Sequence, residues 1–374
     1  MRILICNWRD LSHPLAGGAE VYTDAVAIAW TEAGHCVTLF TSAVDGLPER
    51  ETVPGGYRVI RRGGRHGVYR AARRFWDEEG LGQFDLVVDE VNTRPFGCPR
   101  WVTGVPVVAL IHQVAREVWF HETWLPVAIF GRFWLERHWL AAYRDTPTVT
   151  VSASSKQSLE AYGLRNVSVV PEGFSPHVDD PVSAPLAKES TPTFAFVGRL
   201  AWNKRPHDAI KAFGIVRKHL PDARLWVMGT GPMERRLRRS APAGVEFLGW
   251  VPDKEKHDRL GKVHALLVTS VREGWGLVVT EAAAVGTPSF GYNVAGLRDS
   301  ISVSGGLLVD EQPKALASML LDRVATLIAG AHTVAPLGVT TWPEVASSIL
   351  AVVADSSPPV TGLTPAPSVA LEAG

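Results

Sequence analysis

Residues 272–288 read REGWGLVVTEAAAVGTP, and their pattern indicates the class of fold. The apolar run 263–268 just before it is typical of a β-strand, and the run 277–285 has no helix breaker and stops at a glycine. The order is therefore strand, glycine-containing loop, helix. Gly274 and Gly276 leave backbone amides open to a ligand, and the start of a helix favours phosphate.

Two carboxylates belong to the same stretch. Glu273 lies in the loop and Glu281 in the first turns of the helix, with seven residues between them. A carboxylate repels phosphate unless it is aimed at something else, and sugar hydroxyls are the natural target. The alternative is a solvated loop residue and a solvated helix residue, since this spacing is common by chance.

A second segment carries cations. Residues 193–206 read TFAFVGRLAWNKRP, in which an apolar run ends at Gly198 and Pro206 suits a first helical turn. Arg199 and Lys204 therefore lie between the carboxyl end of a strand and the start of a helix. That position suits a diphosphate. The alternative is a solvated basic loop.

Together these segments resemble the retaining, GT-B-fold glycosyltransferases of family 4. In the second half the resemblance extends to LWVMGTGP (225–232), VEFLGWV (245–251) and GLLV (306–309). The first half matches more loosely, at AGGAE (16–20), ALIHQ (109–113), VSASS (151–155) and VVPEGF (169–174). In all, the resemblance covers roughly residues 1–350. The sequence departs from the family at Glu172, where Asn is frequent, and at Arg298-Asp299, where Pro-Glu is frequent.

Strands and helices alternate along the whole chain, which predicts an α/β protein with mostly parallel sheets. The segment before Thr193 is rich in Pro, Ser and charge and marks a boundary. The resemblance implies GT-B architecture, with two doubly wound Rossmann-like domains and an interdomain cleft. We predict an acceptor-binding domain, a linker, a nucleotide-sugar-binding domain, a helix that crosses back to the first domain, and a Pro- and Ser-rich disordered tail, at 1–175, 176–192, 193–340, 341–354 and 355–374 respectively.

The resemblance also implies site roles. Arg199, Lys204 and the helix start after Gly276 would stabilise the leaving diphosphate, while Glu281 would bind the ribose and Glu273 the donor sugar. The predicted catalytic residues are Glu273, His112, Arg199 and Lys204. The predicted donor-binding residues are Gly17, Gly18, Gly198, Arg199, Lys204, Gly249, Trp250, Val251, Glu273, Gly274, Trp275, Gly276, Leu277 and Glu281.

The first domain is expected to contribute two features to that site. Gly17 and Gly18 would approach the diphosphate where a side chain would clash. His112, at the end of a strand, would lie near the reaction centre. Its alternative role is that of a satisfied interior residue.

The predicted activity is transfer of a sugar from a nucleotide-sugar to an acceptor hydroxyl with retention of configuration. A UDP-sugar is favoured and a GDP-sugar is the alternative; the acceptor is a sugar, a natural product or a lipid-linked glycan. No metal and no cofactor is expected, since the sequence has no D-x-D motif, no dinucleotide fingerprint at the first helix, no zinc pattern and no Walker loop. The alternatives are a nucleotide-sugar epimerase, a phosphorylase, and a non-catalytic nucleotide-sugar-binding protein.

Composition favours a large cytoplasmic enzyme. With 38 basic and 38 acidic residues the formal net charge is zero, so we expect no nucleic-acid partner. Three cysteines without metal spacing favour a reducing compartment. Neither a signal peptide nor an apolar run long enough to span a bilayer is expected.

Residues 116–144 are unusually aromatic. We expect a helix pair that packs its aromatic faces into the first domain; the alternatives are an acceptor cleft or a weak peripheral contact with the inner membrane face, which tryptophan with arginine suits. Residues 61–74 are rich in arginine and are expected to form a solvated loop and helix, with contact to phospholipid or a phosphorylated acceptor as the alternative.

Overall fold

The computed structural model describes residues 1–92, 94–173, 186–330 and 340–356, which form two α/β domains around separate parallel sheets. Asp179-Asp180, most of the predicted linker and residues 357–374 of the predicted tail lie outside the described residues. The end of the linker is described. There Lys188 Nζ donates to Val263 O (2.8 Å) and Thr287 Oγ1 (2.7 Å), so this part of the linker is fastened to the second domain.

The sheet of the first domain has eight strands in the order β3-β4-β2-β1-β5-β6-β7-β8. All pairs are parallel except β3 with β4. The strands β3 and β4 were not predicted, because they are short and carry charged residues. The bounds are β1 Arg2–Cys6, β2 Cys36–Thr41, β3 Arg50–Thr52, β4 Arg58–Arg61, β5 Leu86–Glu90, β6 Val107–Leu110, β7 Thr148–Thr150 and β8 Val167–Val169.

Helices cover both faces of this sheet, because alternate strand residues face opposite sides. Ile3 and Ile5 pack with α1, whereas Leu4 and Cys6 pack with α2 on the other face. The α-helices are α1 Gly18–Glu32, α2 Val68–Phe75, α3 Trp119–Glu122, α4 Leu125–Phe130, α5 Glu136–Leu140 and α6 Ala153–Glu160. Two π-helical turns and three 3₁₀ turns add to them, at Trp76–Gly80, Gly131–Leu135, Cys98–Arg100, Arg116–Val118 and Ala141–Tyr143.

The sheet of the second domain has six parallel strands in the order β11-β10-β9-β12-β13-β14. Its strands are β9 Thr193–Val197, β10 Arg224–Met228, β11 Val245–Gly249, β12 Ala265–Val268, β13 Ser289–Tyr292 and β14 Leu307–Val309. Its helices are a 3₁₀ turn Trp202–Lys204, α7 Pro206–His219, α8 Glu234–Ser240, α9 Asp253–Lys262, α10 Leu277–Ala284, α11 Leu297–Val303 and α12 Pro313–Ile328. Phe194, Phe213 and Phe290 are completely buried between sheet and helices. The predicted pair of doubly wound domains is confirmed.

The last of the described helices, α13 (Trp342–Ser356), packs on the first domain although it follows the second along the chain. Trp30 Nε1 of α1 donates a hydrogen bond to Ala346 O at 2.9 Å. The rings of Tyr22 and Trp342 meet edge to face with centroids 5.3 Å apart. Ile349, one turn further on, is buried in the same core.

The aromatic segment 116–144 does not pack as expected. Trp119 and Trp139 are half-buried and Tyr143 is buried, but the other aromatic side chains are exposed, namely Phe120, Trp124, Phe130, Phe133 and Trp134. The expected packing of the aromatic faces into the domain is therefore wrong for most of the segment. Smaller residues occupy the inward face instead.

The basic run 61–74 also differs in part from its expectation. Its helix exists as the greater part of α2, and Arg70, Arg73 and Arg74 are exposed. Arg61 is not solvated: it is buried and forms ion pairs with Asp10 and with Glu51 (2.5 Å). This arginine fastens the edge of the sheet.

Candidate active site

The two predicted ligand-binding loops meet because their strands are neighbours. Strands β9 and β12 pair in parallel at the point where the strand order of the second sheet reverses. Loops at the carboxyl ends of such a pair form the ligand crevice of open α/β sheets. The loop after β9 carries Arg199 and Lys204, and the loop after β12 carries Glu273.

Lys204 and Glu273 form an ion pair, which the sequence did not reveal. Ser270 Oγ donates a second hydrogen bond to Glu273 Oε1 at 2.6 Å. The side chain of Thr269 fixes the opposite loop, since its Oγ1 donates to Lys204 O (3.1 Å) and Arg205 O (2.8 Å). The predicted cation and the predicted carboxylate are therefore held side by side, where one ligand reaches both.

Arg205 holds a strained conformation beside this pair. Its φ of 47° lies in the left-handed region, which a residue with a Cβ rarely adopts. Its guanidinium forms an ion pair with Glu311 at 2.6 Å. Strain of this kind is concentrated at ligand sites, and here it turns the chain sharply between Lys204 and the start of α7.

Arg199 is exposed, in contrast to Lys204. Its guanidinium has no ion pair or hydrogen bond among the residues that the structure describes. The side chain is therefore available to an anionic ligand at the rim. Gly198, with φ of 147°, forms the turn that precedes Arg199. A Cβ on Gly229 would lie 2.1 Å from Gly198 O, so the loops after β9 and β10 are in close backbone contact.

The start of α10 faces the first domain. Gly276 precedes the helix with φ of 97°, which suits only glycine, and Leu277 begins it. A Cβ on Gly18, at the start of α1, would lie 3.5 Å from Leu277 Cδ1, and a Cβ on Gly274 would lie 2.9 Å from His112 O. Two helix starts and the strand end at His112 thus converge across the cleft.

Gly17 is the N-cap residue of α1, and its backbone is tied to the first turn of that helix. Its backbone N–H donates to Glu20 Oε2 at 2.6 Å, so this amide is already satisfied within the protein. Glu20 is buried and also pairs with Arg9 at 2.9 Å. Burial raises the pKa of Glu20, while the Arg9 charge opposes that rise.

Trp275 packs its ring against the core of the first domain, while its Nε1 donates to Thr280 Oγ1 at 2.9 Å. The residue therefore joins the domains at the cleft and braces the first turn of α10.

His112 lies between two buried carboxylates. Its Nε2 is 3.5 Å from Glu90 Oε1 and its Nδ1 is 3.6 Å from Glu172 Oε1, which are ion-pair rather than hydrogen-bond distances. The ring of Tyr22 packs edge to face on it with centroids 4.7 Å apart. Within the described protein, Glu90 Oε1, His112 Nε2 and Glu172 Oε2 have no hydrogen-bond partner.

Burial and neighbouring charge shift the pKa values of His112 and Glu172. Burial by itself would lower the pKa of His112, but Glu172 and Glu90 outweigh it and raise that pKa to about 9. Burial raises the pKa of Glu172, and the His112 charge opposes it. A pKa raised to about 9 favours the imidazolium form of His112 at neutral pH, with its charge between the two carboxylates.

Glu281 also has a partner that the sequence did not indicate. Lys256 Nζ, from α9, lies 2.9 Å from Glu281 Oε1 and 2.9 Å from Asp253 Oδ1. Burial would lower the pKa of Lys256, but these carboxylates raise it. Lys256 thus fixes one oxygen of Glu281.

The remaining predicted donor residues lie at the edge of the second sheet. Gly249 ends β11 with φ of 71° and its carbonyl accepts from Gly229 N at 2.7 Å. Trp250 is 75% exposed and Val251 is half-buried against the core. They lie beyond β10 from the Lys204 loop, as a subsite for the far end of an extended ligand would.

Sequence reasoning also missed specific side-chain contacts between the domains. Ser154 Oγ of α6 donates to Asp299 Oδ2 of α11, and Arg272 Nη2 donates to Ser158 Oγ at 2.6 Å. Arg272 also pairs with Glu117 at 3.4 Å. The departure at position 299 from the family pattern was the one sequence signal at these positions.

In the described part of the chain, no cluster of three or more His, Cys, Asp or Glu side chains is arranged to hold a metal ion. Over the same ranges, no helix is both long and apolar enough to cross a membrane.

Comparison with known proteins identifies the family of this chain. Residues 16–178 match the family model described as Glycosyltransferase Family 4, and residues 181–326 match the one described as Glycosyl transferases group 1. The chain is a GT-B glycosyltransferase. The two matched regions follow one another along the chain, the first ending at 178 and the second beginning at 181.

Similar proteins cover nearly the whole chain. A glycogen synthase from Mycobacterium tuberculosis (strain CDC 1551 / Oshkosh) is 25% identical over 85% of this chain and 84% of its own length. A GDP-mannose-dependent alpha-(1-6)-phosphatidylinositol dimannoside mannosyltransferase from the same species is 25% identical over 81% and 83%. The solved structure of sucrose-phosphate synthase from Thermosynechococcus elongatus superposes with a TM-score of 0.69 at 20% identity, covering 95% of this chain and 96% of that one.

Proposed function

We propose that this glycosyltransferase moves a sugar from a nucleotide-sugar to an acceptor hydroxyl with retention of anomeric configuration and without a metal ion. The observation that carries the proposal is the convergence of Lys204, Glu273 and the start of α10 with His112 and Gly18 across the cleft. Cations and a helix start meet there on one side of a narrow gap. That is the arrangement a departing diphosphate requires.

Binding of the diphosphate would open the ion pair between Lys204 and Glu273. In the free protein Lys204 and Glu273 neutralise each other. A diphosphate beside Lys204 would compete for its ammonium and release Glu273 to accept hydrogen bonds from the donor sugar. Arg199 and the first amides of α10 would complete the anion site, so negative charge on the leaving group would be stabilised as it forms.

Glu281 would bind the ribose hydroxyls with the oxygen that Lys256 leaves free. The base would extend toward Gly249, Trp250 and Val251 at the sheet edge. A UDP-sugar is the favoured donor and a GDP-sugar the alternative, which the GDP-mannose-dependent relative keeps open. Calorimetry with UDP, GDP and ADP decides between them.

His112 as an imidazolium would lie beside the reacting sugar, held in place by Glu90 and Glu172. In a same-face displacement the acceptor hydroxyl bonds to the anomeric carbon as the bond to the diphosphate breaks. The acceptor proton passes to the departing phosphate oxygen. The sugar therefore keeps its configuration.

The test is incubation of donor with a panel of sugar, natural-product and lipid-linked acceptors in excess EDTA. The expected product is a glycoside whose anomeric proton coupling matches that of the donor. Donor consumed without acceptor would indicate an epimerase, dependence on inorganic phosphate a phosphorylase, and binding without turnover a binding protein. Loss of activity that Mg²⁺ restores would contradict the metal-free leaving-group chemistry.

A further inference from the structure

The first domain displays an aromatic surface that the proposed reaction does not use. We propose that this surface, formed by Trp124, Leu125, Phe130, Phe133 and Trp134, docks the enzyme on an anionic lipid bilayer. These side chains are exposed, with Trp124 at 71% and Trp134 at 72%. Exposed tryptophan suits the interface of a bilayer, where its apolar ring contacts acyl chains and its N–H binds polar headgroups.

The exposure of these rings is a fixed property of the fold, because the opposite face of the same helical segment is anchored. Ala128, Gly131, Glu136 and Leu140 are buried at helical spacing. A Cβ on Gly131 would lie 2.6 Å from the ring of Trp119, so the helix is already in close contact with the domain. The aromatic face cannot turn inward without expelling that inner face.

A π-helical turn at Gly131–Leu135 lies within the segment. Turns of this kind cluster at functional sites and change the direction of neighbouring side chains. Phe133 and Trp134 lie in this turn and are both exposed. The turn therefore brings two adjacent large rings out to solvent.

The charge beside the rings is mainly positive. Arg132, Arg137, His138 and Arg144 accompany them, and Glu136 is the one carboxylate from position 123 to position 144. The exposed Glu122 and Asp145 flank that range, and Asp145 pairs with Arg165 at 3.2 Å. Glu136 is buried, where its Oε2 accepts from Tyr162 OH (2.8 Å) and Arg116 N (3.1 Å). In a protein of zero net charge this local excess of cations complements anionic headgroups.

A second basic feature lies on the same side of the first sheet. α2 packs on Leu4 and Val87, whereas the segment that ends in α5 packs on Ala109. Val87 pairs with Val107, and Ala109 lies two residues after Val107 on the same strand. Alternate residues of a strand face the same side, so Val87 and Ala109 share one face of the sheet. Beside α2 is a hollow of about 330 Å³ lined in part by the exposed Arg70 and Arg74 and by Arg62, which pairs with Glu49 and Glu79. Both cationic groups therefore lie over one face.

A second copy of the chain fits this surface less well than a bilayer does. A two-fold interface places each patch against itself, so Arg132 and Arg137 would meet the same cations of the partner around the apolar centre. A lipid surface supplies the opposite sign. The charge pattern thus favours the bilayer.

The surface also leads to the cleft. α3, which directly precedes it, lies against the turn Trp202–Lys204 of the second domain, and Glu117 pairs with Arg272 there. Docking would bring the cleft entrance close to the headgroups. Resting on the proposed function, this placement favours an acceptor sugar that is carried on a lipid.

The test is flotation of the full chain with phosphatidylcholine vesicles, with and without phosphatidylglycerol, at low and high salt. We expect binding to the anionic vesicles that weakens with salt. Trp124→Ser/Trp134→Ser should weaken it at least about tenfold, since partial burial of two large rings is worth that factor. Arg137→Gln should weaken it roughly fivefold.

Matched controls come from exposed residues elsewhere. Leu125 and Leu81 are 63% and 65% exposed, but Leu81 lies at the amino end of the sheet, next to the Gly82 carbonyl that Arg2 contacts. Leu125→Ser should reduce vesicle binding and Leu81→Ser should not. Far-UV circular dichroism and donor calorimetry on each variant show that the fold and the donor site persist.

Two outcomes would overturn the docking proposal. One is vesicle binding that is absent in the wild type or unchanged by the tryptophan substitutions. The other is a dimer in sedimentation velocity that Trp134→Ser dissociates, which would assign the surface to a second copy. Either result leaves glycosyl transfer in solution intact, so failure of docking is distinguishable from failure of the proposed reaction.

Discussion

Replacing Gly274 with alanine is expected to force the two domains apart at the reaction centre. The new Cβ would lie 2.9 Å from His112 O and 3.2 Å from His112 Cβ, where ordinary contacts begin at 3.4 Å. The His112 carbonyl cannot move away freely, because it accepts from Ser155 Oγ at 2.8 Å. The cleft must therefore open by about 0.5 Å.

The magnitude follows from that displacement. Misplacing reacting groups by about 1 Å costs roughly a hundredfold, so half that distance should lower kcat/KM about tenfold. Overpacking at the contact should also lower the free energy of unfolding by about 1–3 kcal/mol. Release of nucleoside diphosphate measures the first effect and thermal unfolding the second.

Gly64→Ala is the matched control. A Cβ at Gly64 would meet nothing within 4 Å, and neither glycine holds a left-handed conformation, so only the contact differs. The control should retain wild-type kcat/KM and melting temperature. If Gly274→Ala behaved like it in both assays, the domains would not approach each other as the structure shows, and the argument for a shared reaction centre would fail.

Three further predictions concern the same cleft. Lys204→Ala should reduce transition-state stabilisation by about 2–4 kcal/mol in steady-state kinetics, as loss of one oxyanion donor does, and near-normal turnover would contradict the diphosphate role. Glu281→Gln should weaken free nucleotide and nucleotide-sugar alike by about 1.5–3 kcal/mol in calorimetry, whereas Glu273→Gln should leave free nucleotide affinity nearly intact; equal losses in both variants would refute the division of roles. The raised pKa of His112, about 9 against an ordinary 6.5, gives stability that is complete below pH 6.5 and is lost as pH rises through 9. Glu172→Gln should move that loss to lower pH in thermal unfolding scans, and an unchanged profile would show that Glu172 does not hold the charge.

Much of the fold was readable because it depends on local patterns. Two apolar runs predicted β9 and β12, the first of them ending at Gly198. Because these parallel strands are neighbours, the Lys204 and Glu273 loops must meet. The strands β3 and β4 escaped because charged residues occupy them. These strands have three and four residues, too few for an alternation of apolar and polar residues to be recognised.

The partners within the site could not be read in the same way. Glu90, His112 and Glu172 lie at the carboxyl ends of three different strands, so only the order of strands in the sheet brings them together. Lys256 reaches Glu281 from a separate helix for the same reason. Sequence spacing carries no record of such contacts.

The direction of the aromatic segment was a different kind of miss. Large rings usually mark the buried face of a helix, and their number predicted burial. Here small residues, Ala128 and Gly131, form the close contact instead. A count of rings cannot tell which face of the helix the domain covers.

The position of α13 has a consequence for dividing the molecule into parts. Because Trp342, Val345 and Ile349 complete the core of the first domain, that domain is assembled from two stretches of the polypeptide that the second domain separates. A fragment that stops after β8 would leave Tyr22 and Trp30 uncovered and should be poorly soluble by itself. A chimaera that exchanges the donor half for that of a relative must therefore keep its own terminal helix, so the transplantable unit is an internal insert rather than a C-terminal half.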